Sequence, residues 1–298
     1  MLAERYGEFA SAAVGPCGFE LDVHLVPVGP ISDADDISVR RGSGGWVMER
    51  GDFRAEWDAE LRHGWVRQSA NPYAIDGVLR ILHTLLLARE GGFLVHAASA
   101  IRDGRAYLFA GVSGAGKTTM ARLAPPDVKL LTDEISYVRR AGDPGSGAAG
   151  EAPENRSQGV AGMGQETITN LRAQAADSLS LNSAFPISSP VALPPDAGSP
   201  APVFVAFGTP FAGELARIGE NLRAPVGALY LLVQGPQNQI DAVTGAEAAQ
   251  GLLRNILFFA QDDELVRMVF ESVLEFVSCV PVRRLTFVPD ERVWELIR

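Results

Sequence analysis

The octet Gly111-Val-Ser-Gly-Ala-Gly-Lys-Thr118 constrains this chain more than any other stretch. It satisfies GxxxxGK[ST]. An apolar run, Ala106 to Ala110, precedes it, and a short helix-forming segment, Thr118 to Leu123, follows. Strand, glycine turn and helix in that order imply an α/β layout. The glycines let backbone amides turn inward towards an anion, and the helix start adds its positive dipole end. The Lys117 ammonium would reach β and γ phosphates, and the Thr118 hydroxyl would ligate Mg²⁺. The expected ligand is ATP with Mg²⁺. Gly111, Ser113, Gly114, Ala115, Gly116, Lys117, Thr118 and Thr119 would hold it.

A second feature is Leu130-Leu-Thr-Asp-Glu134, two carboxylates at the end of an apolar run. Asp133 lies 16 residues after Lys117, room for one short crossover. In a parallel sheet the end of the neighbouring strand lies near the phosphates. One carboxylate there can hold Mg²⁺ or its waters, and the other can take a proton from an attacking oxygen. The short separation favours a kinase over a mechanical ATPase, whose acidic strand comes further along the chain. The plainer alternative is an exposed acidic turn. His96, in Val95-His-Ala-Ala-Ser99, reads either as a hydrogen-bonded core residue or as a phosphate-side residue that tunes the base. His24, His63 and His83 have no companions at ligand spacing. Tyr73, Phe53 and the tryptophans read as core.

Composition narrows the partners. The 298 residues are 47% apolar and 21% charged, with a net charge of −10. That length suits one large domain or two small ones. An acidic surface argues against nucleic acid. Cys17 and Cys279 are far apart and read as two buried, reduced thiols. The opening MLAERYGEFA lacks a basic-then-apolar signal, and Ile81 to Ala88 is too short to span a bilayer. These features lead to an expected cytoplasmic location without a membrane partner; a homo-oligomer is left open.

Two regions are expected: residues 1–69 as a β-rich, antiparallel N-terminal module, and residues 70–298 as the domain around the loop. Asn71 and Pro72 open a helix with a broad apolar face, and Gly91 and Gly92 end it. Arg102-Asp-Gly-Arg105 is a hairpin turn. Between about 141 and 202 the chain is rich in Gly, Ala, Ser and Pro, with a helical stretch only at Glu166 to Ala176. This reads as a mobile insertion, either a surface loop or a lid. Thr244 and Glu247 form a capping box for a helix running to about Ala260. Asp262 or Asp263 opens the next, and Asp290 caps a terminal helix.

His96 to Leu123, followed by Lys129 to Ile135, resembles the HPr kinase/phosphorylase group within the phosphoenolpyruvate carboxykinase-like superfamily. In that group a histidine precedes the phosphate loop by one hairpin, as His96 does 21 residues before Lys117. The resemblance implies a mixed sheet around the loop. It also implies transfer of the γ-phosphoryl of ATP to a hydroxyl of a protein, peptide or small molecule. Asp133 would be the base, Lys117 the phosphate ligand, Thr118 and Glu134 (with Asp133) the Mg²⁺ ligands, and His96 the group orienting the base. The second acid is Glu134 where well-known members have Asp. No basic acceptor-docking loop is found, which removes the reason to name HPr itself as substrate. Gly208-Thr-Pro-Phe-Ala-Gly-Glu214 looks like a segment common in HPr-kinase-related proteins; it is read either as approaching the acceptor or the phosphates or as a Pro/Gly turn between strands. Arg254 is read as a γ-phosphate clamp or as half of a buried ion pair. The rival functions are a nucleotide-gated ATPase switch with a protein partner, and a carboxykinase acting on oxaloacetate.

Overall fold

The computed structural model describes residues 6–10, 19–27, 36–141, 179–182 and 203–298. Short β-forming runs separated by turns build the first sheet: β1 (Glu20–Leu25), β2 (Ser38–Gly42), β3 (Gly45–Arg50), β4 (Phe53–Asp58) and β5 (His63–Gln68). From β2 to β5 the pairing is an antiparallel meander. Alternate residues Phe53, Ala55 and Trp57 turn inward, as a half-buried strand requires. β1, however, pairs with β5 in parallel. The module is therefore mixed rather than antiparallel. Three successive reversals bring β5 back alongside β1, so β1 does not sit beside β2.

Helix α1 (Pro72–Arg89) begins as the sequence requires: the Asn71 side chain accepts the Tyr73 amide at 3.0 Å, with Pro72 at the first turn. Gly91, at φ 69°, supplies the left-handed residue after its end. The helix touches β4 and β5 on one side, and β6 (Gly92–Val95) on the other. Sandwiched in this way, it buries polar residues as well as its apolar face, among them Asp76, His83 and Thr84. Thr84 satisfies its hydroxyl by donating to the Ile81 carbonyl, and the Tyr6 hydroxyl donates to Asp76.

The hairpin β7 (Ala97–Arg102) and β8 (Arg105–Ala110) turns through Asp103 and Gly104, both at positive φ. After β8 come α2 (Lys117–Arg122), β9 (Lys129–Thr132) and β10 (Ser136–Arg140). β11 (Leu179–Asn182) pairs antiparallel with β1, so one piece of the 141–202 insertion is a strand of the first sheet. The helix expected at Glu166 to Ala176, and the lid reading, lie outside the described residues. The chain continues through β12 (Phe204–Phe207), β13 (Arg223–Gln234), β14 (Gln239–Ala242), α3 (Gly245–Leu253), β15 (Ile256–Leu257), α4 (Asp263–Cys279) and β16 (Val282–Phe287). A 3₁₀ segment, Glu291–Leu296, closes it. The Thr244–Glu247 capping box is present. Its helix stops at Leu253 and does not run to Ala260, because Ile256 and Leu257 pair with Val95 and Leu94 on the edge of β6.

Among the described residues the second sheet has the order β15-β6-β10-β12-β13-β8-β7-β9, with β16 on β13 and β14 on β16. β13 is parallel to both β8 and β16. The protein is thus mixed α/β with two mixed sheets. The acidic strand β9 is not the direct neighbour of β8, as the parallel-sheet expectation had it. It pairs with β7, which lies between them. Period-two alternation assigns the layers. Ala97, Ile101, Leu108 and Ala110 face the core shared with α1 and α4, whereas Ala98, Tyr107 and Phe109 face a smaller core under α2 and Trp294. Among the described residues no helix is long and apolar enough to cross a membrane.

Candidate active site

Register brings three segments to one edge of the second sheet. Ala97 pairs with Ala110, so the start of β7 lies beside the end of β8. Ser99 pairs with Thr132, so the end of β9 lies on the other flank of β7. His96, the glycine loop and Asp133-Glu134 therefore leave the sheet together.

The loop is shaped by its glycines. Gly114 and Gly116 have φ of 79° and 109°, and a Cβ on Gly116 would fall 2.4 Å from the Phe287 ring. The Ala115 amide closes a turn onto the Val112 carbonyl at 3.0 Å. Val112, Ser113 and Gly114 remain exposed. From the end of β13, Gln234 donates to the Gly114 carbonyl at 2.7 Å. The Lys117 ammonium folds across the base of the loop, donating to the Gly111 and Val112 carbonyls at 2.8 and 3.2 Å. Burial lowers its pKa, while the charges of Glu214 and Glu134 raise it. Thr119 is half-buried in the first turn of α2.

The acidic pair divides. Asp133 is only 2% exposed. Its two oxygens accept the Gly213 and Leu215 amides at 2.8 and 2.9 Å. Hydrogen bonds to a charged group are each worth about 1.5–3 kcal/mol, so Asp133 holds the Gly208–Glu214 segment against β9. The Thr209 amide on the Leu131 carbonyl, at 3.1 Å, adds to that hold. Glu134 turns the other way and accepts from Arg80 Nη2 at 2.8 Å. The Thr118 hydroxyl donates to Glu214 at 3.3 Å. His96 is half-buried and its amide donates to the Asn255 carbonyl at 2.7 Å. Burial first, then the charges of Lys117 and Arg80, hold its pKa below the ordinary imidazole value.

The carboxylate beside Thr118 is thus Glu214, with Glu134 engaged by Arg80. Arg80, Glu214 and Gln234 carry contacts in the site that sequence reasoning did not assign. Glu214 ends a segment the sequence does single out. The signal for Arg80 was a cation flanked by the apolar pairs Val78-Leu79 and Ile81-Leu82, and Gln234 had none. Arg254 is the exposed C-cap of α3, so the buried ion-pair reading does not hold. Tyr73 is exposed, not core, and Cys279 is exposed, not buried. Away from this edge, the parallel pairing of β1 and β5 gives His63 neighbours the sequence spacing did not show. Glu20, Asp22 and His63 have ligand atoms within 4.8 Å of one another. No protein-family model matches the chain, and no curated protein matches it either.

Proposed function

We propose that the chain is an ATP-dependent phosphotransferase that moves the γ-phosphoryl of ATP to a hydroxyl, a serine of a protein, peptide or small molecule. The observation that carries this reading is the convergence at one sheet edge of Lys117 on its glycine loop, the Thr118–Glu214 contact and the buried Asp133. The resemblance of His96–Leu123 and Lys129–Ile135 to the HPr kinase/phosphorylase group argues in the same direction.

The loop glycines and Lys117 bind the β and γ phosphates. Thr118 and Glu214 offer hydroxyl and carboxylate oxygens, a donor set that suits Mg²⁺; Mg²⁺ supplies charge neutralisation on the phosphates. The acceptor oxygen forms a bond to the γ phosphorus, and the bond to the β–γ bridging oxygen breaks. ADP leaves with that electron pair, and the hydroxyl proton passes to Asp133. Each Asp133 oxygen uses one acceptor site on an amide and keeps a second. Because Asp133 lies behind Gly213 to Leu215, the acceptor reaches it as that segment opens. His96, its pKa held below the ordinary imidazole value by burial and then by the charges of Lys117 and Arg80, stands by as a hydrogen-bonding partner for the reacting groups. Such catalysis is mostly positioning and charge stabilisation.

The test is the fate of label from γ-labelled ATP, incubated with serine peptides or cell extract. Label on an acceptor hydroxyl, lost in Asp133→Asn, supports the proposal. Release only as free phosphate, unchanged in Asp133→Asn, contradicts it and favours the ATPase switch.

A further inference from the structure

Helix α1 is a packing element by sequence and by burial, yet it delivers one cation to the candidate active site. Arg80 reaches across 54 positions in sequence to Glu134, with side chains 23% and 29% exposed. Its guanidinium also lies over the Phe211 ring, 5.1 Å from the centroid. Phe211 belongs to the segment that Asp133 and Thr132 fasten down. In strand order β8, which leads to Lys117, and β9, which leads to Glu134, flank β7, which His96 precedes, and Arg80 meets that edge through Glu134.

Stability alone explains this placement poorly. A partly buried ion pair repays little more than its desolvation. Buried donors kept for stability are normally satisfied. The Arg80 Nε is buried without a hydrogen-bond partner, and Glu134 takes only Nη2 of a fork with five N–H donors. Guanidinium geometry suits a phosphate as well as a carboxylate.

Building on the phosphotransferase reading, we propose that Arg80 is a phosphoryl-binding residue that presents part of its guanidinium to the terminal phosphate of the nucleotide, across His96 from Lys117, while Glu134 fixes its orientation. Arg80 then senses the γ-phosphate, which ADP lacks. Its electrostatic effect on His96 fits a cation directed into the site.

The experiment is calorimetric titration of the full chain with Mg²⁺ and either a non-hydrolysable ATP analogue or ADP. In the wild type the triphosphate binds more tightly. In Arg80→Gln its affinity falls about tenfold, as for loss of a charge-assisted contact, while ADP affinity stays within about twofold. Arg80→Lys, which keeps the charge but not the fork, gives an intermediate loss. Arg80→Gln/Glu134→Gln removes the ion pair as a unit and covers the case in which the single variant does not fold. It is expected to keep the loss of discrimination. Equal loss for both nucleotides, no loss, or wild-type discrimination in the double variant overturns the role of Arg80 and leaves the phosphotransferase reading standing. A wild type that binds neither nucleotide overturns both.

Discussion

The Thr118 hydroxyl donates to the Glu214 carboxylate at 3.3 Å, joining the first turn after the glycine loop to a residue 96 positions later. Glu214 therefore supplies the negative oxygen nearest the hydroxyl expected to ligand Mg²⁺. Glu214→Gln keeps the shape and removes the charge. Apparent Mg²⁺ affinity in the presence of ATP is expected to fall about tenfold, while metal-free nucleotide binding is unchanged. Titrating Mg²⁺ at fixed ATP checks this. Glu134→Gln is expected to have the smaller effect, because Arg80 already engages Glu134.

Asp133 is a latch as well as the proposed proton acceptor. In Asp133→Asn one amide, of Gly213 or Leu215, meets an N–H₂ donor instead of an oxygen. Local stability of the segment is expected to drop by about 1–3 kcal/mol. Hydrogen exchange of the Gly213 and Leu215 amides is expected to speed up, with exchange in the core of α1 unaltered. Unchanged protection at both amides would mean that the segment is held by something other than Asp133.

Gly116→Ala tests the loop geometry. At φ 109° an alanine is strained, and its Cβ would sit 2.4 Å from the Phe287 ring. The backbone cost alone is about 1–3 kcal/mol. Thermal unfolding is expected to shift down clearly. Adding Phe287→Leu recovers only the steric part, since φ remains unfavourable.

His83 gives a pH signature. It lies against Tyr137 and Phe19, at ring distances of 5.5 and 6.0 Å. Burial pushes its pKa down to about 4. As pH falls through about 6.5, the unfolded chain takes the proton first, so stability is lost from there to about pH 4 and no further. Over that window the loss is on the order of 3 kcal/mol. Urea unfolding of wild type and His83→Gln measures it. The difference between the two is expected to move by that amount across the window and to stay flat above it.

Features set by a few neighbouring residues were legible in the sequence. The Asn71 cap, the Asp103-Gly104 turn and the Thr244–Glu247 box each depend on local chemistry, and each local conformation forms as expected. Long-range pairing was not legible. Nothing near β1 says that it will lie parallel to β5, or that Leu179–Asn182 will join it. The hairpin β7–β8 interposes β7 between the loop strand and the acidic strand, a topological outcome that the spacing of Asp133 from Lys117 does not encode. The same limit applied within the site. Asp133, Lys117 and the segment ending at Glu214 were singled out by motif and spacing, whereas the pairing of Glu214 with Thr118 and of Arg80 with Glu134 arises only from tertiary contacts.

The decisive measurement is titration of the protein with Mg²⁺-ATP in a calorimeter, wild type against Lys117→Ala, because every role proposed at the site presupposes a triphosphate on the glycine loop. Lys117 is the cation that lies across that loop. Saturable binding in the wild type that disappears in Lys117→Ala, with the fold intact, is the expected result. Equal affinity in the two proteins, or no binding in either, would contradict the account.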